Sequence, residues 1–267
     1  MVIDFHTHCF PDKIAGNAIR ELAGKVAHTG LKPRFDGTAD GLIFNMQKNG
    51  VDKSVVLCIA TNAKQTKNVN DFAMSINNTE YLYAFGSVHP EFPDIYNELK
   101  RLKDNGVRGI KLHPFYQDFF IDGEEMHTIY GACAELDLHI LFHAGADLGY
   151  SEDGRASPQR IRKISEGYPD IKFIAAHSGG LYYNKEILKY LCGRKNIYLD
   201  TSFTREYCDE KIVKEIYENH DVNKILFGSD NPWGDSDKDI AWLKSFFGGE
   251  DFEKVMYKNA LRFLGER

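Results

Sequence analysis

Short runs of β-branched and aromatic residues alternate along the whole chain with longer segments of helical period. The runs are "VIDF" (2–5), "KSVVLCI" (53–59), "YLYAFGSV" (81–88), "VRGIKL" (107–112), "HILF" (139–142), "IKFIAA" (171–176), "NIYLDTS" (196–202) and "KILFGS" (224–229). Most read as continuously apolar, the pattern of a strand buried on both faces. Between them, segments of helical period end on stop signals: "TADGLIFNMQKNG" closes on Gly50 and "FPDIYNELKRLKDNG" on Gly106. The segments "EEMHTIYGACAELD", "SPQRIRKISEG" and "DEKIVKEIYENH" supply further helices. Eight strand-then-helix units predict an α/β fold, a parallel sheet covered by helices and closed as a single (β/α)8 TIM barrel. The competing open, doubly wound sheet often carries a glycine-rich phosphate loop, and no G-x-G-x-x-G follows the first strand. No linker, low-complexity stretch or repeat of fixed period interrupts the chain, so residues 1–267 are expected to form one barrel domain.

Composition narrows the class further. With 267 residues, 43% hydrophobic and 27% charged, the chain can bury a large core without staples. A formal net charge of −6 argues against a general affinity for nucleic acid or anionic lipid, both of which need a basic surface. The N-terminus lacks a signal-peptide pattern and no apolar run reaches about 18 residues, so a cytoplasmic protein without a membrane partner is expected. Cysteines at 9, 58, 133, 192 and 208 are odd in number and form no C-x-x-C pair, which predicts reduced thiols. Cys9, next to a histidine pair, reads as a small buried hydrophobe.

That histidine pair introduces the chemistry. Of ten histidines, His6, His8, His89, His113, His143 and His177 fall at the C-terminal end of a predicted strand, the face that carries catalytic groups in this barrel. His28 lies in a loop, His127 and His220 in helices, and His139 at the start of its strand. In "VIDFHTH", His6 and His8 share one face of a strand, about 6–7 Å apart along it. Such a pair can grip one ion or merely decorate an exposed strand end. "FGSDNPWG" adds Asp230 at the end of the eighth strand, where a carboxylate can also cap the next helix. Imidazoles plus one carboxylate suit Zn²⁺, Fe²⁺ or Mn²⁺ better than Ca²⁺ or Mg²⁺.

The motifs "DFHTH", "GIKLHP", "LFHAG", "AAHSG" and "LFGSDNPW", in that order, resemble the amidohydrolase superfamily, within it the amidohydrolase-related branch of the aminocarboxymuconate-semialdehyde decarboxylase type. The resemblance runs from strand one to strand eight, and the tail "VMYKNALRFLG" is similar to that branch's final helix. It implies that His6, His8, His143 and Asp230 ligate one divalent metal, most simply Zn²⁺, with His177 as general base or as the group that polarises the substrate and Asp230 as proton shuttle. A bound metal lowers the pKa of its water toward about 7. The implied activity is hydrolysis at an amide, ester or lactone-type carbon of a small molecule. The alternative on the same frame is non-oxidative decarboxylation of a small unsaturated or aromatic carboxylic acid. That reaction needs a cation to seat the carboxylate, for which Arg34, Arg155 and Arg205 in strand-to-helix loops are candidates.

In two-metal members of the superfamily a carboxylated lysine on strand four bridges the ions. Lys111, with His143 and His177, makes that arrangement formally available here. His113 shares a face with Lys111 and is a candidate for a second metal or for substrate. Tyr116 in "PFYQDFF" and Trp233 after strand eight are candidate walls of a substrate pocket. A homodimer is implied by the resemblance alone. Because the base and the carboxylate are both present, catalysis is expected rather than a metal-binding scaffold.

Overall fold

The computed structural model describes residues 1–266. Every predicted run contains a strand: β1 (Ile3–Thr7), β2 (Lys53–Leu57), β3 (Leu82–Phe85), β4 (Gly109–Leu112), β5 (His139–Phe142), β6 (Phe173–Ala175), β7 (Ile197–Asp200) and β8 (Ile225–Leu226). They pair in parallel as two arcs, β1 to β3 and β4 to β8. Single bridges, Gly86 with Ile110 and Thr7 with Asn231, join the arcs into a closed ring. The chain is a single (β/α)8 barrel, and closure leaves no strand edge open to solvent.

Two apolar layers explain the continuous runs. Ile110, Leu112, Ile140, Phe142 and Phe173 face outward against the helices. Phe5, Phe85, Leu141 and Ile174 face inward, and the C-terminal helix Asn259–Leu264 plugs the floor with Phe263. Its ring lies 5.4 Å from that of Phe5 and 6.4 Å from that of Phe85. His139, at the start of β5, sits edge-on to Phe263 at 4.9 Å, at the floor and away from the mouth, as its position in the strand predicts.

Two departures from the expected strands matter for the site. The run "KILFGS" yields only Ile225–Leu226, because the following backbone bonds to side chains instead of a ladder. Gly228 N–H donates to Thr201 Oγ1 and Ser229 N–H to Asp4 Oδ1. In β1, Asp4 pairs with Ser54 but Thr7 with Val56, so β1 spends one more residue than its neighbour over that interval. Strict alternation would send Phe5 and His6 to opposite faces. The bulge lets Phe5 fill the barrel core while the next residue, His6, also turns inward.

Among the helices, α1 (Asp12–Lys25) follows β1; Gly16 and Gly24 blunt its helical signal in the sequence. In a closed ring of eight strands β1 lies opposite β5, so the loops that follow these two meet over the mouth. The five cysteines are free thiols, and Cys9 is buried.

Candidate metal centre

His6 is buried, and its Nδ1 lies 2.8 Å from Asp200 Oδ2. His8 Nδ1 lies 2.9 Å from the carbonyl oxygen of Leu57. Both partners only accept, so each ring carries its proton on Nδ1 and holds an Nε2 lone pair. These lone pairs point toward the carboxylate at the end of the eighth strand: Asp230 Oδ1 is 3.1 Å from His8 Nε2 and 3.7 Å from His6 Nε2. One ligand atom from each of His6, His8 and Asp230 lies within 4.8 Å of the other two. The two imidazole rings stand 5.2 Å apart.

A second facing pair lies beside the first. His143 Nε2 is 3.1 Å from the Ala146 carbonyl, which places its proton there and leaves Nδ1 as a lone pair. His177 Nδ1 faces the carbonyl and hydroxyl of Ser202. That hydroxyl gives its hydrogen to Asp200. His177 therefore donates from Nδ1, and its Nε2 meets His143 Nδ1, acceptor to acceptor, at 3.1 Å. An added proton is disfavoured: burial holds His177 down to about 4 and His143 well below the ordinary imidazole value. His8 Nε2 against Asp230 Oδ1 is also acceptor against acceptor. Two such contacts side by side in a buried pocket call for a cation, and nitrogen plus carboxylate donors fit a divalent transition metal.

Backbone geometry marks the same residues. His177 and Asp230 both adopt left-handed conformations, φ 60° and 65°, as does Ser178 at φ 52°. Such conformations cost about 1–3 kcal/mol each in non-glycine residues and persist where surrounding contacts enforce them. Here Asp230 N–H donates to the His6 carbonyl at 2.8 Å, and His177 N–H to Asp200 Oδ1 at 3.1 Å.

Lys111, 1% exposed, reaches into this group, with Nζ 3.3 Å from His6 Nε2. Burial lowers its pKa to about 8, against the pull of Asp230, Asp200 and Asp147. His113 is sandwiched, its ring parallel to those of Tyr116 at 3.8 Å and His143 at 4.2 Å. His113 Nε2 also lies 3.4 Å from Asp147 Oδ2, and one ligand atom from each of His113, His143 and Asp147 lies within 4.8 Å of the others. The near-parallel rings, 15° apart, aim their in-plane lone pairs side by side rather than at one point. Asp147 as a hydrogen-bond acceptor accounts for that cluster without an ion.

The structure thus gathers His6, His8 and Asp230 at one point, sets His143 beside His177 one ring further along, and brings Lys111, His113 and Tyr116 to the same mouth. It does not free the arginines. Arg34 pairs with Asp235 at 2.6 Å, Arg155 with Asp118 and Asp153, and Arg205 with Asp239 and Glu206. Trp233 is half-buried, and its backbone N–H donates to the Asp230 carbonyl at 2.9 Å. Sequence reasoning missed Asp200. Fully buried, it accepts from His6 Nδ1, His177 N–H, Ser202 N–H and the Ser202 hydroxyl. Burial would raise its pKa, but His6 and these hydrogen bonds hold it far below the usual carboxylate range. The available signal was an aspartate closing the apolar run "NIYLD" on a strand beside the histidine strands.

A (β/α)8 barrel with a histidine and aspartate centre at the C-terminal ends of its strands defines the class: an enzyme with a divalent-metal site. Residues 3–265 match the amidohydrolase family model, and the chain belongs to that family. Among solved structures, an uncharacterized TIM-barrel protein from Bordetella bronchiseptica superposes with TM-score 0.80 at 16% identity, covering 99% of this chain and 98% of that one. A 5-carboxyvanillate decarboxylase from Novosphingobium aromaticivorans, complexed with manganese and 4-hydroxy-3-methoxy-5-nitrobenzoic acid, gives TM-score 0.72 at 14% identity over 99% and 96% of the two chains. A dihydroxybenzoic acid decarboxylase from a Polaromonas species, with bound manganese and 2-nitroresorcinol, gives 0.71 at 16% identity over 99% and 96%. No curated protein matches the sequence at a significant level. No described helix is long and apolar enough to cross a membrane.

Proposed function

We propose that this protein is a metal-dependent, non-oxidative decarboxylase of a small planar carboxylic acid. The observation that carries the reading is the juxtaposition of an acceptor-rich centre with a wall of parallel rings. His6, His8 and Asp230 converge, and beside them the mutually stacked rings of His143, His113 and Tyr116 form an aromatic flank that suits a flat substrate. The decarboxylase activity of relatives with the same barrel supports this order over hydrolysis, the activity the sequence motifs put first.

In this reading His6, His8, Asp230 and His143 would hold one divalent cation, Mn²⁺ or Zn²⁺. The cation would supply positive charge against which a carboxylate and the electron pair it releases are stabilised. Asp200 keeps His6 in the tautomer that offers Nε2, as carboxylates behind metal-binding histidines do. Loss of CO₂ leaves an electron pair on carbon that takes up one proton. Lys111 is a group placed to hold that proton, its Nζ 3.3 Å from His6 Nε2 at the proposed centre. His177 Nε2, unprotonated at neutral pH, is a base within the same pocket and also keeps hydrolysis as the second reading.

The test is the purified protein reconstituted with Mn²⁺ or Zn²⁺ and offered hydroxybenzoic and unsaturated carboxylic acids, with CO₂ followed directly, alongside lactones, amides and esters. Metal-dependent CO₂ release from a planar acid is expected. Metal-dependent hydrolysis, with no CO₂ from any acid, would replace this reading by the second.

A further inference from the structure

Two motifs hold polar residues that the centre leaves unused: Asp4 in "DFHTH", and Ser229 and Asn231 in "LFGSDNPW". All three are buried, and they bond to one another. Asp4 Oδ1 accepts from the backbone N–H of His6 at 3.1 Å and of Ser229 at 3.0 Å, while Oδ2 accepts from the Ser229 hydroxyl at 2.5 Å. Ser229 Oγ accepts in turn from the backbone N–H of Asn231 at 3.1 Å and from its side-chain amide at 2.7 Å. Asn231 Oδ1 accepts from the amide of Asn45, on the helix Ala39–Lys48, at 3.0 Å.

The direction of this relay follows from its acidic end. A carboxylate only accepts, so the Ser229 hydroxyl gives its hydrogen to Asp4 and keeps both lone pairs for Asn231. Asn231 therefore turns its NH₂ toward Ser229 and its oxygen toward Asn45. The relay grips the residues on either side of Asp230, and Asp4 also holds the N–H of His6. Asp230 itself sits at φ 65°, with its N–H on the His6 carbonyl, and the next carbonyl, of Asn231, accepts from His8 N–H at 2.7 Å. A left-handed aspartate persists where its surroundings over-determine it, and pinned neighbours on both sides do so. The two segments also touch closely, since a Cβ on Gly228 would lie 2.9 Å from His6 Cβ.

We propose that Asp4 is a positioning residue for the metal centre. Through Ser229 and Asn231 it fixes the backbone that carries Asp230 against the strand that carries His6 and His8, and so sets the aim of that carboxylate. This rests on the reading of His6, His8 and Asp230 as ligands of one ion, and is independent of which reaction the ion serves.

Asp4→Asn is a selective cut. Its amide oxygen can still take both N–H groups, but its NH₂ confronts Ser229 Oγ, whose lone pairs are already filled by Asn231. Ser229→Ala breaks the same relay one step on and spares the backbone bond to Asp4. Zn²⁺ affinity is measured by chelator competition for the parent, each variant and the double variant. The assay runs at pH 8, above the value of about 7 to which burial raises the Asp4 carboxyl. Urea unfolding of the metal-free proteins is followed in parallel. Each single variant is expected to bind Zn²⁺ about tenfold more weakly than the parent, as loss of a supporting hydrogen bond behind a metal ligand does. The double variant should lose no more than about twofold beyond the weaker single, because both changes cut one relay. Variants that unfold more easily yet bind Zn²⁺ within about twofold of the parent would reduce Asp4 to a packing role and overturn the proposal. Losses that multiply in the double variant would overturn the relay. If Asp4→Asn does not fold, Ser229→Ala decides by the same criterion. A parent that binds no Zn²⁺ removes the centre and the positioning role together, whereas a binding parent with indifferent variants removes the positioning role alone.

Discussion

Asp200→Asn changes one atom and replaces no proposed metal ligand, yet it should weaken metal binding. Asp200 Oδ2 accepts from His6 Nδ1–H at 2.8 Å, while Oδ1 takes the N–H groups of His177 and Ser202, each at 3.1 Å, and the Ser202 hydroxyl. An amide offers one acceptor oxygen and one donor nitrogen. With its oxygen toward His6, the NH₂ group confronts the donors around Oδ1. With its oxygen the other way, His6 faces a donor, moves its proton to Nε2, and aims N–H toward Asp230. Loss of such an outer partner typically costs 10- to 100-fold in metal affinity, about 1.4–2.7 kcal/mol. Each buried donor left unpaired costs about 1–3 kcal/mol of folding stability besides. Competition against a fluorescent chelator for Zn²⁺ or Mn²⁺ at pH 7 measures the first quantity, and urea unfolding of the metal-free protein the second. Asp230→Asn, which alters a converging ligand itself, should lose more affinity than Asp200→Asn. A folded Asp200→Asn protein that binds metal within about twofold of the parent would refute the tautomer argument.

Two further predictions concern the scaffold. Gly145, just after His143, has φ 77°, and a Cβ there would lie 2.3 Å from the Leu181 backbone nitrogen; Gly145→Ala should cost at least about 1–3 kcal/mol in urea unfolding, and an unchanged midpoint would show that the two loops part easily. Burial pushes His139 and His220, both remote from the centre, down to about 4. Their folded values are depressed below the unfolded 6.5, so the stability tied to their neutral forms is complete above pH 6.5 and is lost as pH falls toward 4, up to about 3 kcal/mol each. A His139→Gln, His220→Gln double variant should flatten the pH dependence of unfolding free energy over that window, and a slope equal to the parent's would assign acid sensitivity elsewhere.

The parts of this molecule legible in its sequence are those set by local pattern. Apolar runs locate all eight strands because both faces of each strand are buried, and the ends of those runs locate His6, His8, His143 and Asp230 because the barrel exposes only that face to substrate. What stayed hidden depends on pairings across the ring. Asp200 lies 194 residues from the histidine it orients. The β1 bulge is a mismatch between two strands, invisible in either alone. Arg34 reads as a free cation until Asp235, 201 residues on, is seen to pair with it.

Whether the first strand serves one ion or two turns on Lys111, and the proposed function takes one. A carboxylated lysine forms only from the neutral amine, which at a pKa of about 8 is roughly a tenth of the population at pH 7. The remainder is an ammonium 3.3 Å from His6 Nε2. In the proposed one-ion reading the nitrogen that His6 turns toward Asp230 would serve that ion, with Lys111 as the neighbouring group proposed to hold a proton.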